Sequence, residues 1–433
     1  MPVMTFETVP PPDVLILGAG AAGLSAAARL HSAGVSVTIL EARDRIGGRI
    51  RSDHSRGGSP VEGGPEFLHG NLPELEELIR AAGVAVETGP SRHWLSREGQ
   101  LIEANFEGWE EVLDQLSRIE EDLPFDRFLE TRCPGLTPDQ RQMAIDYVEG
   151  FNAADCRQLS SLWLRKSELE LGAAEDEVRR LTSGYDRIID TLRGRAPDVP
   201  LHLATPVHLV QWRRGRVLFE TAGPSPQRHS AARAIITLPL GILQAEGRDS
   251  ARVAFLPDLP DKRAAANRLA MGAVVKVVLR FREPFWQRCG FRDGGFLHLR
   301  CGRFMTWWPF GPEPKLTAWS GGPRAEELSQ RDDEEITAIA VSELAIALGW
   351  SERAVRDQLG ETYVFNWPRD PHALGAYSYA RVGGAEAMGQ LASPVENTLF
   401  FAGEATDDQF PATVAGAVRS GYRAADEVLA SLK

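Results

Sequence analysis

Cysteine is scarce. The 433 residues contain four (Cys133, Cys156, Cys289 and Cys301), with no C-x-x-C pair and no cluster of His and Cys at metal-ligand spacing. A disulfide framework and a zinc site are therefore not expected, and a reducing, cytoplasmic setting is. Positive charge is also short: 48 Lys and Arg stand against 60 Asp and Glu, a net charge of −12. That balance argues against polyanions, so no nucleic acid partner is expected. Long apolar runs are missing as well. Val14 to Leu30 comes nearest, but Gly18, Gly20, Gly23, Ser25 and Arg29 interrupt it, and it is shorter than the roughly 20 apolar residues of a membrane helix. Met1 to Pro12 carries Glu7 and three consecutive prolines, which does not read as a secretory signal. What remains is ordinary globular composition, 43% hydrophobic and 25% charged, in a chain long enough for two or three cores at about 150 residues each.

Along the chain, Asp13 to Leu17 reads as a buried parallel strand and runs into Gly18, Gly20 and Gly23. The alanine-rich stretch Leu24 to Leu30 reads as a helix stopped by Gly34, and Val35 to Leu40 as a second strand ending at Glu41. This is a βαβ unit. From about Leu72 to Arg193 the periodicity is helical. Strands return at Leu201 to Leu203, Val207 to Trp212, Val217 to Phe219, Ala234 to Pro239, Ala273 to Phe281 and Asn397 to Ala402, and Val414 to Leu432 closes the chain as a helix. The fold class expected is α/β with α+β: a Rossmann-like dinucleotide domain in separated segments, 13–86, 196–248 and 392–433. A substrate domain of mixed sheet and helices, 87–195 and 249–391, is inserted between them.

A G-x-G-x-x-G motif means little alone, but here a strand precedes it, a helix follows and an acid stands about 20 residues on. Gly18 permits the tight turn, and Gly20 with Ala22 brings backbone close to a pyrophosphate at the helix N-terminus. Gly23 allows close helix-sheet packing, and Glu41 can accept from ribose hydroxyls while repelling the 2′-phosphate of NADP. The segment E-A-R-D-R-I-G-G-R, Glu41 to Arg49, then sets Arg43 and Arg49 around Gly47 and Gly48, a place for a second phosphate or a flavin ring. This segment resembles the flavin-containing amine oxidase family of monoamine oxidases, polyamine oxidases and the lysine-specific histone demethylase.

The resemblance extends over nearly the whole chain. Val61 to Gly70 is similar to the segment along the flavin, which implies cofactor contacts for Gly64, Pro65 and Glu66 and a substrate-facing His69. Ala204 to Val210 resembles the adenine strand and implies Val207 there. Met271 to Phe281 matches the segment whose lysine holds a water at flavin N5, which makes Lys276 the candidate. Trp367 to Ser378 implies Trp367 at the flavin edge and Tyr377 as a wall of the substrate cage. Leu399 to Val418 implies Glu404 at the ribityl or ribose, and the Thr413 and Val414 backbone at the pyrimidine end, with Gly403 beside them. Two positions depart from the monoamine oxidases. Thr413 replaces the second cage tyrosine, as in polyamine oxidases, and Ala376 replaces the cysteine that tethers the flavin, which implies non-covalent FAD. The resemblance thus implies oxidation of a small amine by hydride transfer to flavin N5, imine hydrolysis, and reduction of O2 to hydrogen peroxide.

Other readings stay open. An amino-acid oxidase would need a cation for the carboxylate, and Arg165, Arg303 and Arg381 are available. A desaturase of the same superfamily and a non-catalytic flavin-binding protein are further alternatives. Glu66 can serve a cationic amine or the flavin. The aromatic run Phe304 to Phe310 reads as an ordinary buried strand in preference to a substrate channel, and Glu168, Glu170, Glu175, Asp176 and Glu177 as a solvated helix face in preference to a cluster that steers a polycation. Oligomeric state is not legible.

Overall fold

All four side chains of the strand Val14–Leu17 are buried, and alternation decides what each meets. Val14 and Ile16 join a core with the helices Ala21–Ser32 and Val414–Ser431. Leu15 and Leu17 point the other way, onto Val210, Val217 and Phe219 of a second sheet. A strand apolar on both faces is what a covered parallel sheet requires. This computed structural model describes residues 12–432 except 56–57, 71, 105–107, 172–176, 224–225, 247–251, 292–294, 310 and 312. Nearly all of Met1 to Pro12, together with Glu175, Asp176 and Phe310, lies outside the described residues.

The first sheet is parallel throughout, in the order Leu399–Phe401, Arg233–Ile236, Val14–Leu17, Val37–Leu40, Leu201–His202. A four-stranded sheet covers one face. In it Val207–Arg213 pairs with Arg216–Thr221 through the expected turn at Gly215 and, in parallel, with Ala254–Leu256.

The second half is a seven-stranded sheet in the order Leu359–Asn366, Val274–Phe281, Lys315–Gly321, Thr306–Pro309, Gly295–His298, Arg92–Arg97, Gln100–Glu103. Period-2 alternation again splits its faces. Val275, Val277, Leu297, Trp307 and Leu316 pack on the helix Asp333–Leu348, whereas Lys276, Phe296, His298, Trp308 and Trp319 face the opposite side. The helices Trp109–Ser117, Phe125–Arg132, Pro138–Phe151 and Ser161–Leu171 form a further core over that side. Thr137 starts the third of them with a capping box: its hydroxyl accepts from the Gln140 N–H, and the Gln140 side chain accepts from the Thr137 N–H.

Three expectations are corrected. The region 72–193 is not uniformly helical, because Val86–Pro90, Arg92–Arg97, Gln100–Glu103 and Glu177–Leu181 are strands. These are short and are recruited by long-range pairing: Val86–Pro90 with Glu177–Leu181, and Arg92–Arg97 with Gln100–Glu103 and Gly295–His298. The boundary at 195 also moves, since Ile188, Ile189 and Leu192 of the helix Asp186–Gly194 belong to the first core. Likewise Ala254–Leu256, expected in the substrate half, pairs into the four-stranded sheet of the nucleotide half.

Candidate active site

One cavity of about 1200 Å³ runs from the glycine turn to the face of the seven-stranded sheet, somewhat larger than a typical small-ligand site. Every residue that the sequence assigned to the cofactor or to the reacting end lines it except Gly23. Gly23 acts inside the turn: a Cβ there would lie 2.0 Å from the Gly18 carbonyl oxygen, so only glycine lets the helix start so close to the strand. Gly20 is different. Its φ of −79° suits any residue, and a Cβ would find its nearest protein atom 4.0 Å away. The bare backbone there serves something other than packing. Gly403 likewise has nothing within 4 Å.

Two helix N-termini open on this space, at Ala21 and at Val414. Their unpaired N–H groups supply partial positive charge at both ends of the cleft. Thr413 caps the second helix: its Oγ1 accepts from the Gly416 N–H at 3.0 Å and donates to the Phe410 carbonyl at 2.8 Å. Its hydroxyl is thus occupied by the chain itself, leaving its backbone and methyl edge toward the cavity. Pro65, Ala22, Gly48, Gly64 and Val207 contribute backbone or apolar surface. This lining of bare glycines and helix termini suits an extended dinucleotide.

Several charged residues do more than the sequence suggested. Both Glu41 oxygens take backbone N–H groups, from Ala19 at 2.7 Å and Arg43 at 2.8 Å, which ties the glycine turn to the following loop. The Arg43 fork is filled by Asp370, with contacts of 2.9 and 2.6 Å, so it is not a free phosphate clamp. Arg49 donates to the Ala376 carbonyl and to Glu404 Oε1, and Glu404 Oε2 accepts from the Ser378 hydroxyl. Trp367 lies against the cavity and donates to the Gly63 carbonyl at 2.9 Å.

Lys276 is 1% exposed and bonds Glu66 Oε2 at 2.8 Å and the Gly64 carbonyl at 3.3 Å. Trp308 donates to Glu66 Oε1 at 2.8 Å, and Arg180 stands 4.0 Å from that oxygen. Burial alone would raise the Glu66 carboxyl, but Lys276 and Arg180 outweigh it and hold it below its usual range. Glu66 is therefore the partner of the buried lysine and is committed within the protein.

Aromatic side chains form the rest. His69 meets Phe151 edge-on at 5.6 Å, and burial pushes its imidazole down to about 4, so it is neutral at ordinary pH. The Tyr377 hydroxyl donates to the Phe151 carbonyl at 2.6 Å, which fixes the ring at the cavity. Tyr147 stacks on Phe151 at 5.3 Å and meets Trp109 at a 50° tilt, with centroids 4.3 Å apart. Sequence reasoning missed this stack, although Tyr147 and Phe151 stand four apart on one helix and so share a face. Within the run at 304–310, Thr306–Pro309 is a strand, and alternation turns Trp308 into the cavity and Trp307 into the core.

Glu168 is the main correction. It was read on a solvated face, yet it lines the cavity and accepts a hydrogen bond from the Tyr147 hydroxyl. Burial raises its carboxyl to about 7, with Tyr147 opposing. No spacing signal distinguished it, because it stands in an acid-rich stretch beside Glu170. Arg165, Arg303 and Arg381, the candidate carboxylate clamps, do not line the cavity; Arg165 and Arg381 donate to the Ile119 and Asn267 carbonyls. Arg300 does line it and pairs with Asp139 at 2.9 Å. Among the described residues no helix is long and apolar enough to cross a membrane.

Known proteins resemble this chain in sequence and fold. A family model described as flavin containing amine oxidoreductase matches residues 21–134 and 87–429. Polyamine oxidase 2 of Arabidopsis thaliana is 30% identical over 96% of this chain and 88% of its own length. Lysine-specific histone demethylase 2 of Homo sapiens is 28% identical over 96% of this chain, which spans about half of that longer protein. Among solved structures, wild-type putrescine oxidase bound to putrescine superposes with a TM-score of 0.80 at 22% identity, covering 97% of this chain and 99% of that one. Cyclohexylamine oxidase from Brevibacterium oxydans does so with a TM-score of 0.80 at 23% identity, over 98% and 100%. The chain belongs to the flavin containing amine oxidoreductase family and is an FAD-dependent oxidoreductase acting on amine donors.

Proposed function

We propose that the substrate is an amine with a second, cationic nitrogen: a diamine or polyamine. The observation that carries this reading is Glu168, a cavity-facing carboxyl raised to about 7 and set beside the Trp109, Tyr147 and Phe151 stack. A buried carboxyl on the edge of ionising becomes a carboxylate when an ammonium arrives to pair with it. The similarity to polyamine oxidases points the same way.

Bound FAD supplies the two-electron acceptor for oxidation at the carbon beside nitrogen, with dioxygen as the final acceptor and hydrogen peroxide as its product. The residues of the chain sort charge along the substrate. Near Lys276 the carboxylates are already committed, Glu66 to Lys276 and Trp308, and Glu404 to Arg49 and Ser378. With neutral His69 and the Tyr377 ring for neighbours, a nitrogen there is favoured without its proton. Roughly one helical turn beyond Phe151, or ~6 Å, the Tyr147–Glu168 pair favours a nitrogen that keeps its proton. The molecule is thereby oriented with its neutral end at the reacting position. Lys276 is positioned to hold a water at that end, and the imine product hydrolyses to a carbonyl compound and a smaller amine. A reducing, cytoplasmic setting accords with the free thiols of Cys133, Cys156, Cys289 and Cys301.

Steady-state kinetics on putrescine, spermidine and butylamine test this. Glu168→Gln should raise KM for the first two by about tenfold relative to butylamine, the loss of one charge-assisted contact. In the native enzyme the diamine-to-butylamine KM ratio should fall as pH rises through about 7, because the carboxyl is protonated below that value and ionised above it. A ratio unmoved by both the substitution and pH would refute the assignment.

A further inference from the structure

One wall of the cavity, on the seven-stranded sheet, carries four polar side chains that the reading above does not use. His93 and His298 stand on the neighbouring parallel strands Arg92–Arg97 and Gly295–His298. Their rings stack at 5.1 Å, 14° from parallel, with His93 Nδ1 2.9 Å from His298 Nε2. At one end His93 Nε2 lies 2.9 Å from the Ser91 hydroxyl; at the other, His298 Nδ1 lies 3.4 Å from that of Thr306. All four residues line the cavity.

Register places this chain relative to the reacting end. Lys276 is opposite Trp319, Trp319 opposite Thr306, and Thr306 opposite His298. Three strand spacings of about 4.8 Å put His298 about 14 Å across the sheet from Lys276. An extended chain at roughly 1.2 Å per bond covers that in on the order of ten bonds. The intervening surface is aromatic, with Phe67, Phe296 and Trp308 in mutual contact at 5.4 to 6.0 Å.

Burial, and for His298 the neighbouring His93, push these imidazoles down to about 4 and about 3, so both rings are neutral and each carries one N–H. One hydrogen lies between the rings, and it fixes the others. If His93 Nδ1 donates, His298 Nδ1 donates to Thr306 and Ser91 donates to His93 Nε2, which leaves the Thr306 hydrogen for another acceptor. If His298 Nε2 donates, every bond reverses and the Thr306 oxygen keeps both lone pairs. The Thr306 hydroxyl can therefore meet a carbonyl as donor or an N–H as acceptor, with no net charge in either state.

We propose that Ser91, His93, His298 and Thr306 form a distal recognition end of the substrate cavity, selecting long amines whose second nitrogen, as free amine or as amide, reaches this chain of hydrogen bonds. This rests on the amine-oxidising activity and is separate from the role of Glu168, which requires a charged nitrogen.

The test is steady-state kinetics of the FAD-loaded enzyme on α,ω-diamines of increasing length and on the same diamines acetylated at one end, each compared with butylamine. His298→Phe keeps the ring volume and removes both nitrogens; Thr306→Val removes only the hydroxyl and decides the matter if the first variant does not retain flavin. The expected result is a rise of about tenfold in the long-to-short KM ratio, for free and acetylated long amines alike. Glu168→Gln should move the ratio for the free diamines only, so the two assignments can fail independently. A ratio within twofold of wild type, or a loss confined to the free diamines in Thr306→Val, would overturn the proposal.

Discussion

Lys276 illustrates how a single residue can be brought to the cavity from sequence while its partner is not. Alternation along Val274–Phe281 left it open and the family resemblance singled it out, but nothing in the sequence tied it to Glu66, 210 positions away. The two are 1% and 6% exposed, so each is buried with the other as its principal compensation. Lys276→Met should cost about 3 to 5 kcal/mol of stability, chiefly because it strands the Glu66 carboxylate. Adding Glu66→Gln should recover part of that loss, giving a coupling of at least about 1 kcal/mol in urea denaturation. Strict additivity of the two single losses would show that the contact carries no stability. Glu41, Arg43, Arg49 and Glu404 follow the same pattern: residue type and position were legible, whereas their hydrogen-bond partners depend on chain segments up to 355 residues apart.

Among the elements, the glycine turn separates packing from ligand approach. Gly23 excludes a side chain because the Gly18 carbonyl occupies its place, whereas Gly20 has open space. Gly23→Ala should therefore lower the melting temperature of the flavin-free protein. Gly20→Ala should leave that temperature within a degree or two and weaken FAD binding at least about tenfold, read by flavin fluorescence titration. Equal losses of Tm in both variants would mean that Gly20 is also a packing glycine. The βαβ unit was readable because buried strands, glycines and an alanine-rich helix follow one another in sequence. The strands Arg92–Arg97 and Gln100–Glu103 were not, since each is half-exposed and acquires its conformation from pairing with Gly295–His298 and with each other. Glu168 was misread for a related reason: the face of a helix that meets a cavity looks, in one dimension, like one that meets water.

At the scale of the molecule, the cavity is bounded by both the nucleotide half and the sheet-and-helix half, so a ligand lying along it bridges the two cores. Flavin binding should accordingly stabilise the whole chain by mass action, by about 4 kcal/mol at a free concentration a thousandfold above Kd. Calorimetry of the flavin-free protein with increasing FAD should show Tm climbing with ligand; a Tm indifferent to FAD would contradict the bridging role. The interleaving of segments was visible in the sequence, but its borders were not. The helix Asp186–Gly194 crosses to the first core because Ile188, Ile189 and Leu192 fit against helix Ala21–Ser32, which is a tertiary choice.

The parallel sheet also sets a timetable for synthesis. Its central strand, Val14–Leu17, gains its partner Arg233–Ile236 late, and Leu399–Phe401 joins only when nearly the whole chain exists. At 5 to 20 residues per second, the about 360 residues between Leu40 and Leu399 take roughly 20 to 70 s to translate. Throughout that interval the growing sheet has an unsatisfied edge and no closing helix from Val414, so a chaperone has a long window in which to hold it and the flavin has nothing complete to enter.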